Sequence, residues 1–294
     1  MSPKITLNND TNTDSLLMRC IQSPKTLPRF YASALNDPLI EQKQAAWDFY
    51  IKFGHQKQFL KNKLSDEDRF LQLYDRLQVY FKEDIYRLTK FRTPEPFVKL
   101  YKCIAMQTAQ LVNADALASE TGVSIKTVQR YLRYFKESGK VILLSAWFKN
   151  INKRLVKTSR MHFVDNGILQ TVLQKRGGLT SSEYQSAVNV EIHKQILNSK
   201  YCAGINFYHV CTYDGTNVDL LLEIKDTNAE TSCGYFAFKI KMTDKIRETD
   251  ARHLKILEEV LDKPLRHGFI LSNDITTRQI TKNITAINTA YFLI

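Results

Sequence analysis

The pattern of apolar and polar positions divides the chain into regions of different character. The first 28 residues are polar, rich in Asn and Thr and without periodicity, and this predicts a flexible tail. Residues 29–100 are helical in pattern, and the RTPEP segment, Arg92 to Pro96, predicts a boundary after them. Within them, apolar residues recur every three or four positions, as on one face of a helix: Phe70, Leu71, Tyr74, Leu77, Tyr80, Phe81 and Ile85.

Residues 101–164 have the pattern of a winged helix-turn-helix. Ala114 to Thr121 predicts a short helix, Gly122 permits a tight turn, and Ser124 is a favourable N-cap for a second helix. The second helix ends at Gly139 and has apolar residues on one side only. The strands predicted after it, which would form the wing, are Val141–Phe148 and Leu155–Val164.

The last region, residues 165–294, alternates helices with strands. Its element order is helix, three strands, helix, strand, which is the core order of the PD-(D/E)XK nuclease-like fold. The predicted elements are helix Glu183–Asn198, strands Phe207–Tyr213, Val218–Ile224 and Gly234–Lys241, helix Glu248–Leu261 and strand His267–Ser272, before an apolar end, AYFLI. The chain is therefore predicted to be a multi-domain α+β protein.

The predicted strand GYFAFKIK carries two lysines where that fold carries chemistry. Phe236, Phe238 and Ile240 lie on one face and Lys239 and Lys241 on the other. The fold usually holds Mg²⁺ with an acidic residue of the second strand and a Glu/Asp-x-Lys of the third, often with a Glu from the first helix.

The corresponding residues in this chain are Asp219, the Lys239-x-Lys241 stretch and Glu191, so a lysine replaces the central carboxylate. We therefore predict a degenerate site without metal, in which Lys239 or Lys241 pairs with Asp219 or Glu191. The alternative is that both lysines face solvent and pair with nothing.

A shifted nuclease site fits the strand geometry poorly. Glu223-Ile224-Lys225 is a literal Glu-x-Lys, with Asp214 upstream. At about 3.3 Å per residue, Asp214 and Glu223 would be roughly 25–30 Å apart, and Asp219 and Glu223 roughly 13 Å apart. Both separations are too long for a shared metal. A metal-dependent nuclease with a displaced site remains a minor alternative, and only this alternative would need Mg²⁺ as a cofactor.

The positive charge is concentrated in the helix-turn-helix. The net charge of the 294 residues is +12, and residues 122–160 hold ten Lys/Arg against one Asp/Glu, a net +9. Such clustering predicts a polyanionic partner, double-stranded DNA, with the second helix in a groove and the wing on phosphates. The predicted contact residues are Lys126, Thr127, Arg130, Arg133, Lys149, Lys153, Arg154 and Lys157. Winged helices also serve as protein-interaction modules, so that alternative stays open.

Composition narrows the remaining classes of protein. The five cysteines include no CxxC pair, and the six histidines lack zinc-ligand spacing. The longest apolar run, Val141 to Phe148, is far shorter than the roughly 20 residues that span a bilayer. The N-terminus has no signal-peptide pattern. We therefore expect a cytoplasmic protein without cofactor or membrane partner.

From about Leu73 onward the chain resembles a widespread bacterial and archaeal ATP-binding family. Its members carry an AAA+ ATPase module, a winged helix and a nuclease-like C-terminal domain. The matching stretches are YFKEDI (80–85), GVSIKTVQRYL (122–132), KRLVKTSRMHFVDNGIL (153–169), NVE (189–191), NVDLLLE (217–223) and HGFILSND (267–274). More weakly, FGHQKQFL (53–60) would replace a Gly-Gly-Tyr-Pro-like segment.

The chain departs from that family in two respects. It contains no GxxxxGK[ST] phosphate-binding loop, so ATP hydrolysis is not expected. It also has Lys239 where the family usually has Glu. Together with the charge, the resemblance implies a non-catalytic nucleic-acid-binding or regulatory protein whose partner is DNA, another protein or a full-length ATPase relative.

Overall fold

A computed structural model describes residues 14–23, 26–54, 64–84, 95–149, 158–212, 215–225 and 233–294. These residues form a mixed α+β structure, as the sequence predicts. They fall into two compact units. The sheet unit comprises the described residues up to Trp47, within Leu144–Ser159 and within Val188–Ile294; the helical unit comprises those within Asp48–Leu143 and Arg160–Ala187.

The elements are numbered in chain order. The helices are α1 (Leu16–Gln22), α2 (Ile40–Phe53), α3 (Asp66–Val79), α4 (Glu95–Met106), α5 (Ala114–Thr121), α6 (Ile125–Glu137), α7 (Asn166–Val172), α8 (Ser181–Leu197), α9 (Arg252–Val260) and α10 (Thr289–Leu293). The strands are β1 (Val141–Ala146), β2 (Arg160–Phe163), β3 (Ile205–Cys211), β4 (Asn217–Ile224), β5 (Gly234–Ile240), β6 (Leu265–Ser272), β7 (Arg278–Thr281) and β8 (Ile284–Asn288). Within the described residues, none of the helices has the length and apolar character needed to cross a bilayer.

The strands form one mixed sheet in the order β2-β1-β3-β4-β5-β6-β8-β7. Strands β3, β4 and β5 are antiparallel neighbours, as expected for strands joined by short connections. After α9 the chain returns as β6, parallel to β5, and β8 adds a further parallel neighbour. The predicted helix, three strands, helix and strand are therefore all present.

Strand β5 is buried on both faces because it lies in the middle of the sheet, whereas the sequence predicted a half-buried strand. On one face the rings of Phe238 and Phe269 are stacked with centroids 5.6 Å apart, and Phe292 packs against both. On the other face, Tyr235 and Ala237 belong to the apolar core that includes α9. A central strand with both faces covered needs apolar residues at consecutive positions, and alternation alone does not reveal this.

Three expectations are corrected in the sheet unit and the first helices. The predicted tail contains α1, whose apolar side chains are buried and whose N-cap Ser15 accepts a hydrogen bond from the Met18 amide. Strands β7 and β8 lie in a segment for which the sequence predicted no strand. In α3, Leu71 and Tyr74 are exposed, 58% and 47%, and Leu73 is buried instead.

Ile85, Arg92 to Pro94 and residues 55–60 of FGHQKQFL, for which the sequence also made predictions, lie outside the described residues.

The helical unit brings two distant segments into close backbone contact. The Asn166 side chain donates a hydrogen bond to the Ile51 carbonyl near the end of α2. A Cβ atom on Gly167 would lie 2.3 Å from the Phe53 carbonyl oxygen, so only glycine fits there. This contact explains the Asn-Gly pair in the FVDNGIL stretch as a packing requirement.

Candidate functional sites

Two short helices joined by a tight turn, α5 and α6, lie in the helical unit where the sequence predicts them. Asn113 caps α5 by accepting a hydrogen bond from the Ala116 amide at 3.0 Å. Gly122 follows in the left-handed conformation, φ 73°, which a residue with a Cβ adopts at a cost. Ser124 then caps α6, accepting from the Thr127 amide at 3.2 Å. These local hydrogen bonds fix where α6 begins, as the sequence predicted.

Helix α6 has two sharply different faces. Its inner face packs on α4: the ring centroid of Phe97 lies 4.4 Å from that of Phe135 and 5.0 Å from that of Tyr131. Its outer face is exposed and carries four cations and one amide, and the one exposed carboxylate of α6, Glu137, lies beside them in the last turn. The residues of this outer face are Lys126, Gln129, Arg130, Arg133 and Lys136.

The structure places five of the eight predicted nucleic-acid contact residues. Lys126, Arg130 and Arg133 are exposed on α6, and Thr127 is half-buried because its hydroxyl lies 3.0 Å from that of Ser124 in the cap. Lys149 is exposed beyond β1. The other three, Lys153, Arg154 and Lys157, lie outside the described residues, as does most of the predicted wing hairpin.

The first predicted charge pair in the sheet unit is formed by Asp219 and Lys239. The Lys239 ammonium lies 3.1 Å from Asp219 Oδ1, with side chains only 15% and 3% exposed. The second oxygen of Asp219 accepts a hydrogen bond of 2.7 Å from the Ile240 amide. Both carboxylate oxygens are therefore engaged by β5, and Lys239 does not face solvent alone.

Lys241 has a different partner from the one predicted. It pairs with Asp250, in the turn before α9, and neither with Asp219 nor with Glu191. Burial alone would raise the pKa of Asp250, but hydrogen bonds from Lys241 and from the Arg247 amide outweigh it and lower that pKa. The sequence could not reveal this partner because it depends on how the loop after β5 folds back.

Glu191 is not joined to Asp219 by any contact among the described residues. One of its oxygens accepts a hydrogen bond of 2.8 Å from Gln195, which also donates to the Leu293 carbonyl in α10. Since Phe292 of the same helix packs on Phe238, this contact lies on the side of β5 opposite to Lys239. Within the part of the chain described, the four residues of the predicted vestigial site thus form separate contacts.

His253 of α9 joins the charge site and was not foreseen. Its Nδ1 accepts a long hydrogen bond, 3.4 Å, from the Asn217 amide. Burial lowers the pKa of His253, the positive charges of Lys239 and Arg252 lower it further, and Asp219 opposes them. These influences together favour the neutral imidazole over the charged one. Its position in a helix between two strands was the only signal in the sequence.

The alternative Glu-x-Lys is also engaged in contacts. Glu223 accepts hydrogen bonds from Lys263 at 2.7 Å, Asn206 at 3.0 Å and Tyr208 at 3.2 Å. The hydrogen bond with Glu223 raises the pKa of Lys263. Asp214 lies outside the described residues, and among the described ones no group of three His, Cys, Asp or Glu could hold a metal ion.

Comparison with known proteins gives one match. Residues 59–178 match the model of a domain of unknown function, DUF8612. This segment includes α3 through α7 and hence the basic helix α6. No curated protein and no solved structure matches the chain.

Proposed function

We propose that this protein binds double-stranded DNA without catalysing a reaction on it, and that α6 is its contact helix. The observation that carries the proposal is the outer face of α6, where Lys126, Arg130, Arg133 and Lys136 are exposed and Glu137 is the one exposed carboxylate of the helix. Four cations against one carboxylate leave an excess of positive charge, which can neutralise phosphates and release counterions, the main source of affinity in non-specific DNA binding.

The amide of Gln129, in the middle of this face, supports a groove contact as well as a phosphate contact. Arg side chains donate hydrogen bonds to acceptors at base edges, and Gln side chains can both donate and accept there. The resemblance to the ATP-binding family also supports the proposal, because the winged helix of that family would correspond to this part of the chain. The protein would then act as a binding or regulatory partner, alone or beside a complete relative.

The test is fluorescence anisotropy of a labelled duplex across a salt series, with wild type and the double variant Arg130→Glu/Arg133→Glu. We expect wild-type affinity to fall roughly 100-fold between about 50 and 200 mM salt, as for about four phosphate contacts. The variant should bind much more weakly, and its logarithmic salt slope should be shallower by about two. A third substitution, Lys157→Glu, extends the test to the predicted wing.

The matched control is Lys245→Glu/Lys255→Glu, which makes the same change in net charge at two exposed lysines of the sheet unit. If both double variants lose DNA binding equally, the affinity depends on the net charge of the protein and not on α6. If wild type fails to bind at low salt, the proposal is wrong and the protein-interaction alternative takes its place. Mg²⁺- or Mn²⁺-dependent nicking of plasmid that disappears in Asp219→Ala would instead establish a nuclease.

A further inference from the structure

A cavity of about 310 Å³ opens in the helical unit, and none of the five outer-face residues of α6 lines it. Its walls come from the end of α3, from α4, from the turn between α6 and β1, and from the junction of β2 and α7. A volume of this size lies at the lower end of the range for small-molecule sites in proteins. The cavity is therefore large enough for a compact ligand and too small for a macromolecular segment.

Three aromatic rings supply flat apolar walls. The centroids of Tyr80 and Tyr101 are 5.9 Å apart, and those of Tyr101 and Phe163 are 5.0 Å apart. All three side chains belong to the buried core, with exposures of 7%, 1% and 3%. Because the core fixes the rings, the parts of them that line the cavity form a preformed apolar wall, against which a planar ligand can pack at little cost in entropy.

The charges around the cavity favour an anion. Arg76 and Lys140 line it with one carboxylate, Asp165, which leaves a net charge of +1. Asp165 is already committed, since its Oδ1 accepts the Ile168 amide at 3.0 Å as the N-cap of α7. The Lys140 ammonium lies 4.2 Å from the centroid of the Tyr80 ring and makes no ion pair with any described residue.

We propose that this cavity binds a small planar aromatic carboxylate, with its ring against Tyr80 and Tyr101 and its carboxylate on Lys140. The ring would replace water on apolar walls, and the carboxylate would accept a charge-assisted hydrogen bond from Lys140. The site stands apart from the DNA proposal, because it uses none of the exposed residues of α6 and is tested without DNA.

The test is titration of the full chain with 2-naphthoate, followed by calorimetry and by saturation-transfer NMR on the ligand. We expect saturable binding of one ligand per chain, and roughly tenfold weaker binding of the neutral 2-naphthamide, because the charge-assisted contact is lost. The variant Lys140→Met keeps the apolar stem and loses the ammonium. It should weaken naphthoate binding by a similar factor and leave naphthamide binding unchanged.

The matched control is Lys102→Met, which removes an exposed lysine of α4 outside the cavity lining. It should bind naphthoate like wild type, and both variants should keep the wild-type melting temperature within a few degrees. Equal binding of acid and amide would overturn the assignment of Lys140. Absence of saturable binding below about 10 mM would overturn the site itself.

Discussion

Cationic side chains have opposite environments in the two units of the protein. In the sheet unit, Lys239 is nearly buried and its ammonium lies 3.1 Å from a carboxylate oxygen of Asp219. In the helical unit, Arg133 and the other three cations of the outer face of α6 are exposed, with Glu137 as the one exposed carboxylate of that helix. Burial and pairing make the first cation part of the folded structure, whereas exposure leaves the others available to an external anion.

This contrast shows that composition alone does not locate function. A net charge counts a buried paired lysine and an exposed arginine equally, yet only the exposed one contributes to a field that attracts DNA. The effect of removing each charge on the free energy of unfolding should therefore follow its exposure, and three sets of variants test that order.

The largest effect is expected for Lys239→Ala. It leaves the carboxylate of Asp219, 3% exposed, without its ammonium, at a cost of about 3–5 kcal/mol in the free energy of unfolding. Urea denaturation of Lys239→Ala, Asp219→Ala and the double variant measures it. The double variant should lose less than the sum of the two single variants. If Lys239→Ala were as stable as wild type, the buried cation of the sheet unit would be no more important for stability than the exposed cations of α6.

The next effect concerns two buried histidines of the sheet unit. Burial lowers the pKa of both His193 and His267 to about 4, from an ordinary value of 6.5. The unfolded chain therefore binds more protons between these values, so stability is complete above pH 6.5 and falls as the pH drops towards 4. We expect a loss of roughly 2 kcal/mol per histidine at about pH 5.

Urea denaturation at about pH 7 and pH 5 checks this window, which lies above the range where the carboxylates titrate. His267→Gln should flatten the pH dependence by about half, whatever its own effect on stability at pH 7. An identical slope in wild type and variant would show that His267 does not titrate as its burial requires.

A small effect is expected for Lys241→Ala. This lysine is paired with Asp250 but its side chain is 38% exposed, so solvent screens the pair. The loss should be at most about 1 kcal/mol, several times smaller than for Lys239→Ala. Comparison of the two variants in one denaturation series is the sharpest test, because the two lysines are only two residues apart. Equal losses would mean that exposure does not govern the cost.

The smallest effect on stability belongs to the α6 variants. Arg130→Glu/Arg133→Glu should change the free energy of unfolding by no more than about 0.5 kcal/mol per residue, as exposed substitutions usually do. The same variant should lose most of its DNA affinity. Melting curves and anisotropy on one preparation separate the two effects. A strongly destabilised variant would indicate that this face is structural.

Some parts of the fold could be predicted from local sequence. Capping by Ser124 and the left-handed Gly122 are local requirements, and they correctly positioned α6. Strands β3 to β6 were found within two residues at each end because they are apolar and bounded by polar turns. In contrast, β7 and β8 were missed because RQIT and ITAIN are short and partly polar.

The candidate sites were predicted less well because their partners come from distant segments. The pairing of Lys239 with Asp219 is one of the pairings that the sequence left open. The pairing of Lys241 with Asp250, and the place of Glu191 beside Gln195, depend on packing that no sequence window contains. The exposed Leu71 and Tyr74 show the same limit, since their spacing resembles that of core positions.

The order of the two units along the chain has a consequence for protein synthesis. The chain crosses between the units four times, and α10 places Phe292 in the core against Phe238 and Phe269. On a ribosome that adds roughly 5–20 residues per second, the strands from β3 to β6 therefore emerge before the helix that covers them. For several seconds their apolar face would be open to chaperones and to other nascent chains. Truncation ahead of Thr289 should thus lower the yield and increase aggregation, because it removes the helix that covers this face.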